Sequence, residues 1–177
     1  MPYVEAAREI ILLALLITVV YTDLAQGKAY DWCTLPAMGI GLILATVLGG
    51  VRSGEANLVA SLLGIAVAGG LFGLFYFFGG FSAGDVKMAA AIGALKGWRF
   101  ALEAILYAAL IGGVMALGVL IWKGQLLRGL RDTARAAVRL RRSERVLEQD
   151  SPARLTIPYG VAIALGTMWV WFARYAL

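Results

Sequence analysis

Gly79-Gly80-Phe81-Ser82-Ala83-Gly84-Asp85-Val86-Lys87-Met88, continuing through Ala89-Ala90-Ala91-Ile92-Gly93-Ala94-Leu95-Lys96-Gly97, is the stretch on which the architecture turns. Val86 to Gly97 reads as a helix of small and apolar residues. A dozen residues rise only about 18 Å, against a bilayer core of roughly 30 Å. Whether this segment crosses decides which ends of its neighbours share a side. Asp85 stands at its start, and an acidic group at membrane level is costly enough to be a functional candidate by default.

Outward from it lie five longer apolar stretches: Val4 to Thr22, Cys33 to Gly50, Asn57 to Phe78, Phe100 to Trp122 and Leu155 to Arg174. Each approaches the 20 or so residues a membrane helix needs. The first is not a signal peptide, because its leading residues include Glu5 and Glu9 beside Arg8 and no A-x-A cleavage pattern follows. Trp169, Trp171 and Tyr175 form an aromatic belt near the end of the last. Over the 177 residues 61% are hydrophobic and 15% charged, where a soluble domain carries about 45–50% and about 25%. A water-soluble globule is excluded. The expectation is an all-α membrane protein, a polytopic bundle of about six transmembrane helices with the fourth short, forming a single domain over residues 1–177.

The 16 basic and 11 acidic residues, net +5, are unevenly spread, for nine of the basic ones lie between Lys123 and Arg154. Between apolar spans such a segment is a cytoplasmic loop facing anionic lipid, not a nucleic-acid surface. The basic count is 11 on one side and 5 on the other whether or not the fourth segment crosses. The 123–154 loop is therefore cytoplasmic either way, while the side of the 23–31 and 79–87 turns stays open. Leu127, Leu130, Ala134, Ala137 and Val138 fall near one face, the pattern of an amphipathic helix on lipid. A solvated basic connector has the same composition. Small residues at Gly69 and Gly73, Gly93 and Gly97, and Ala66 and Gly70 predict close helix packing.

The chain has no histidine and one cysteine, Cys33. That removes Ser-His-Asp and Cys-His nucleophiles, histidine-bearing zinc motifs and an internal disulfide. Carboxylates are what remain. Asp23, Asp31, Asp85 and Glu103 lie near span ends. Asp23 and Asp85 are two spans apart, so they share a side. Two carboxylates meeting in a partly dry site cannot both ionise easily, and the charged one can activate a water while its protonated partner donates to a carbonyl. The alternative is that each caps a helix, Asp85 the one beginning at Val86. Asp31 is a third carboxylate near the site or a cap of the second span, and Glu103 pairs with Arg99 one turn before it.

The blocks around these positions carry a family resemblance. Asp23-Leu24-Ala25-Gln26-Gly27-Lys28, running on to Trp32-Cys33-Thr34-Leu35-Pro36, resembles the first aspartate block of the type IV prepilin peptidases and their preflagellin-peptidase relatives. Ser82-Ala83-Gly84-Asp85-Val86-Lys87 is similar to their Gly-x-Gly-Asp block, and Ile157-Pro158-Tyr159-Gly160 to their last-span Pro-Phe/Tyr-Gly block. The resemblance implies an aspartic endopeptidase of the inner membrane that removes a short basic leader from prepilin-like precursors at the cytoplasmic face. Asp23 and Asp85 match its catalytic aspartates, and no metal or cofactor is implied. Pro36, Ser82, Gly84, Pro158, Tyr159 and Gly160 would shape the cleft, with Lys87 as a snorkelling anchor.

Ser82 departs from the motif's first glycine, which makes the turn before Asp85 less permissive if that turn needs a glycine conformation. The paired-cysteine methyltransferase domain of many bacterial members has no counterpart, so the likeness is to short, peptidase-only members such as those serving Flp-type pili, and N-methylation is not expected. Two rival readings remain. One is a presenilin-like or signal-peptide-peptidase-like protease, whose Tyr-Asp motif fits poorly because Thr22 precedes Asp23. The other is a non-enzymatic transport or assembly subunit. The oligomeric state is open.

Overall fold

The computed structural model describes residues 2–26, 31–49, 57–78, 80–122 and 159–176, and six α-helices account for nearly all of them. They are α1 (Pro2–Gln26), α2 (Asp31–Gly49), α3 (Leu58–Phe77), α4 (Ala83–Lys96), α5 (Trp98–Trp122) and α6 (Tyr159–Ala176). The basic segment 123–154 and Pro158 lie outside the described residues, as does the side chain of Asp31. The chain divides into two units. One holds residues 1–112 with 158–177, and the other, residues 113–157, is described only over 113–122, the end of α5.

α3 and α5 are long and apolar enough to cross a membrane, and α2 holds a shorter apolar stretch, Trp32–Val47. α1 carries Glu5, Arg8, Glu9 and Asp23, so its apolar length is interrupted by charge. The outer faces of the helices are themselves apolar: Ile17, Tyr21, Ile43, Val47, Phe77, Leu106 and Trp169 are all exposed. Water would not tolerate that surface, and lipid would. This is a membrane protein.

The short fourth helix is the centre of the larger unit. Met88 to Leu95 are buried without exception, which on an α-helix means burial on every face. Small side chains make this possible. Gly93 of α4 lies so close to Gly64 of α3 that a methyl group on either would sit 2.2–2.3 Å from the other's carbonyl oxygen. A methyl on Gly41 of α2 would meet the Ala94 main chain at 3.0 Å. Gly69 packs on Ala90, but Gly70 and Gly73 have open space before them. Of the glycines expected to pack closely, Gly69 and Gly93 therefore meet another helix, and Gly70 and Gly73 do not. Gly97 ends the helix. It adopts φ 81° and donates its N–H to the Gly93 carbonyl at 2.9 Å, and α5 begins at the next residue. Only glycine takes that conformation without strain.

Both ends of α4 meet polar groups. At one end are Asp85 and, from α1 and α6, Asp23 and Gly160. At the other, Lys96 pairs with Glu9 of α1, which also accepts hydrogen bonds from Trp171 Nε1 (2.7 Å) and Tyr175 Oη of α6. Fourteen residues separate Glu9 from Asp23 and eleven separate Asp85 from Lys96, rises of about 21 and 17 Å. α4 therefore runs from one polar end to the other despite its length. Two expectations change here. Trp171 and Tyr175 spend their polar atoms on Glu9 and do not serve only as an interfacial belt. Glu103 joins Arg174 of α6, Nη2 to Oε1 at 2.9 Å, while the Arg99 guanidinium stacks on Trp98.

Candidate active site

Asp85 is positioned by its own helix. The chain enters α4 through Ser82, whose φ of −88° and ψ of 159° are ordinary extended values that need no glycine. Ser82 is the N-cap, and Asp85 is the third residue of the helix and not its cap. The Asp85 N–H donates to Ser82 Oγ at 3.3 Å. In return Asp85 Oδ2 accepts the Ser82 main-chain N–H and the Ser82 hydroxyl, each at 2.9 Å. This is a reciprocal capping box, which satisfies helix-start donors that otherwise lack partners. Serine in the glycine position therefore costs the turn nothing and adds a hydroxyl to the carboxylate.

Asp23 is positioned by a different helix. It lies in the last turn of α1, buried beside Thr22. Its Oδ2 accepts the N–H of Val161 at 3.2 Å, and its carboxylate also accepts a main-chain bond from Gly160. Both donors belong to the first turn of α6, so the carboxylate sits where the helix dipole and its free N–H groups favour an anion. The fit depends on glycine. A methyl on Gly160 would lie 2.7 Å from Asp23 Oδ2 and 3.0 Å from its Cγ.

The two carboxylates share this end of the larger unit, and Asp85 lies near enough for its charge to act on Asp23. The Asp85 charge also reaches Tyr159 at the start of α6. The Tyr159 ring lies 4.4 Å from that of Phe81, which stacks on Phe72 at 4.7 Å. Its far edge fills the space that Gly112 of α5 leaves, since a methyl there would lie 2.6 Å from the ring. Aromatic residues thus wall the carboxylates on the side of α3 and α5. Of the other expected site residues, Gly84 is half-buried in the first turn of α4 and Lys87 half-buried one residue past Val86. Pro36 lies inside α2 with its ring exposed. Among the described residues no three acidic or cysteine side chains converge as a metal-ligand set.

An apolar groove of about 370 Å³, lined by Leu16, Ile17, Val20, Tyr21, Leu24, Ala164, Leu165 and Met168, runs between α1 and α6 up to the residues flanking Asp23. A larger cavity of about 620 Å³ lies at the other end, beside Lys96, Arg99 and Arg174, away from the carboxylates.

Residues 10–117, which include both aspartates, match the model of the Type IV leader peptidase family. The chain belongs to that family. Among curated proteins it is 29% identical over 109 residues to the prepilin leader peptidase/N-methyltransferase of Aeromonas hydrophila, covering 60% of this chain and 37% of the relative. It is 31% identical over 117 residues to the protein of that name from Burkholderia pseudomallei (strain 1026b), covering 65% of this chain and 38% of the relative. The match thus spans under two-fifths of these relatives. No solved structure matches the chain. The family match ends before α6, so the Gly160 and Val161 donors that hold Asp23 come from outside it.

Sequence reasoning missed Glu9, which enters there only as an argument against a signal peptide. The signal was available: Glu9 is the acidic residue furthest from either end of α1, and Trp171 and Tyr175 are spaced i,i+4 so that one helix face presents both donors.

Proposed function

We propose that this protein is an aspartic endopeptidase that removes basic leaders from prepilin-like precursors at the cytoplasmic face of the inner membrane. One observation carries the reading. Two buried carboxylates from different helices lie at one end of the unit, each with one oxygen held by hydrogen-bond donors at a helix start. In this reading all six helices form one membrane domain, with α4 crossing, and the aspartates share the side of the basic 123–154 segment. That segment rests on anionic headgroups.

The chemistry follows from the pair. One aspartate, ionised, takes a proton from a water placed between them, and the water oxygen attacks the scissile carbonyl. The other, protonated, donates to the carbonyl oxygen as the tetrahedral intermediate forms. Return of a proton to the amine nitrogen releases the leader. The apolar groove beside Asp23 lies where the apolar segment following a leader would run.

A structural reading has its own support, because both carboxylates also accept N–H groups at helix starts. The two readings part on one substitution. Asn keeps the cap acceptor but cannot relay a proton. Asp23→Asn and Asp85→Asn, each inserted and folded, should both leave a co-expressed pilin precursor with its leader attached. Complete processing by either variant would overturn the enzymatic reading.

A further inference from the structure

We propose that Ser82 is a positioning residue for Asp85: its hydroxyl and its main-chain N–H together fix Oδ2, which assigns Oδ1 to the chemistry. The inference rests on the catalytic reading of Asp85. A cap alone would need only the bond from the Asp85 N–H to Ser82 Oγ. The hydroxyl proton goes the other way, onto the carboxylate, and a donor of that kind favours the ionised form. It also prevents rotation that would exchange the two oxygens. At a site where one oxygen must face a water and the other must not, fixed orientation matters directly to rate.

The groups that surround Asp85 bear on its titration. Asp23 on α1 and Tyr159 on α6 lie within range of its charge. Of the other helices packed on α4, α2 carries Asp31 and Cys33, and α3 carries Tyr76 as its one titratable group. Lys87 is the nearest charge on α4 itself. None of these changes when Ser82 is replaced, so a shift between variants reports the hydroxyl.

The test uses the full chain in lipid vesicles and a synthetic peptide with a basic leader ending in glycine before an apolar segment. Ser82→Gly removes the hydroxyl but keeps the N–H donor, and glycine is nearly as good a helix cap as serine. The variant should cleave with kcat lowered roughly tenfold, KM little changed, and the acid limb of its rate profile moved up by about one pH unit, the effect of one hydrogen bond to a charged group. Ser82→Thr, which keeps the hydroxyl, should restore the wild-type profile. Asn57 caps α3 by accepting the Ala60 N–H, so Asn57→Gly makes the same kind of change at a cap away from the aspartates and should leave the limb unmoved. An unshifted limb in Ser82→Gly, with Asp85→Asn inactive, would overturn the role of Ser82 alone. Activity in Asp85→Asn would overturn the catalytic reading beneath it.

Discussion

The two aspartates are held in opposite ways. Asp85 is fixed in cis: its partners are three residues away, and folding the first turn of α4 is enough to set its carboxylate. Asp23 is fixed in trans by Val161, 138 residues later in the chain, so its carboxylate is set only when α6 docks on α1. A site built this way has one half made by local structure and one half made by assembly. Damage to the packing of α6 should therefore disarm Asp23 while leaving Asp85 as it was. Damage at Ser82 should do the reverse.

The largest expected effect comes from the carboxylates themselves: either aspartate-to-asparagine change should cut leader removal by a factor of about 10³ or more, since acid–base groups typically contribute 10²–10⁴-fold. Gly160→Ala comes next. Its methyl would displace the Asp23 carboxylate from the start of α6, and the expected loss is roughly 10²-fold in kcat, of the order a misplaced catalytic group costs. If Gly160→Ala cleaves at the wild-type rate, α6 is not what holds Asp23.

Gly93→Ala tests the frame that brings the halves together. Its methyl would meet the α3 main chain, which cannot rotate away. The helices must part, at a cost of about 3 kcal/mol, read as a lowered unfolding temperature in detergent. Glu9→Gln is the smallest. It loosens the far-end cluster of Lys96, Trp171 and Tyr175 by about 2 kcal/mol and should reduce activity only as far as stability falls. A larger loss of activity than of stability would show that the two polar ends are coupled through α1.

Most of the helical frame could be read in advance. The expected spans agree with the helices to within a few residues because apolar length and Gly, Pro and charge boundaries are local signals. Ser82 shows how a local signal can still be misread. A serine three residues before an aspartate is a capping box in plain view, yet comparison with a glycine motif made it look like a restriction. The pairing of Glu103 was misassigned for a related reason. Arg99 satisfies the i,i+4 rule, but Arg174 on a neighbouring helix presents a guanidinium with better geometry, and spacing along one helix carries no information about a second.

The sequence alone determined the approximate length of the described helices, the membrane as solvent and the turn that fixes Asp85. Each depends on composition or on residues within a turn of one another. Tertiary structure alone decided that Gly64 meets Gly93, that Glu9 gathers three donors, and that the start of α6 holds Asp23. Those contacts join residues from 29 to 166 positions apart. Apolar periodicity says which face of a helix is hidden but not which helix hides it, and that choice is made by the close fit of small residues around α4.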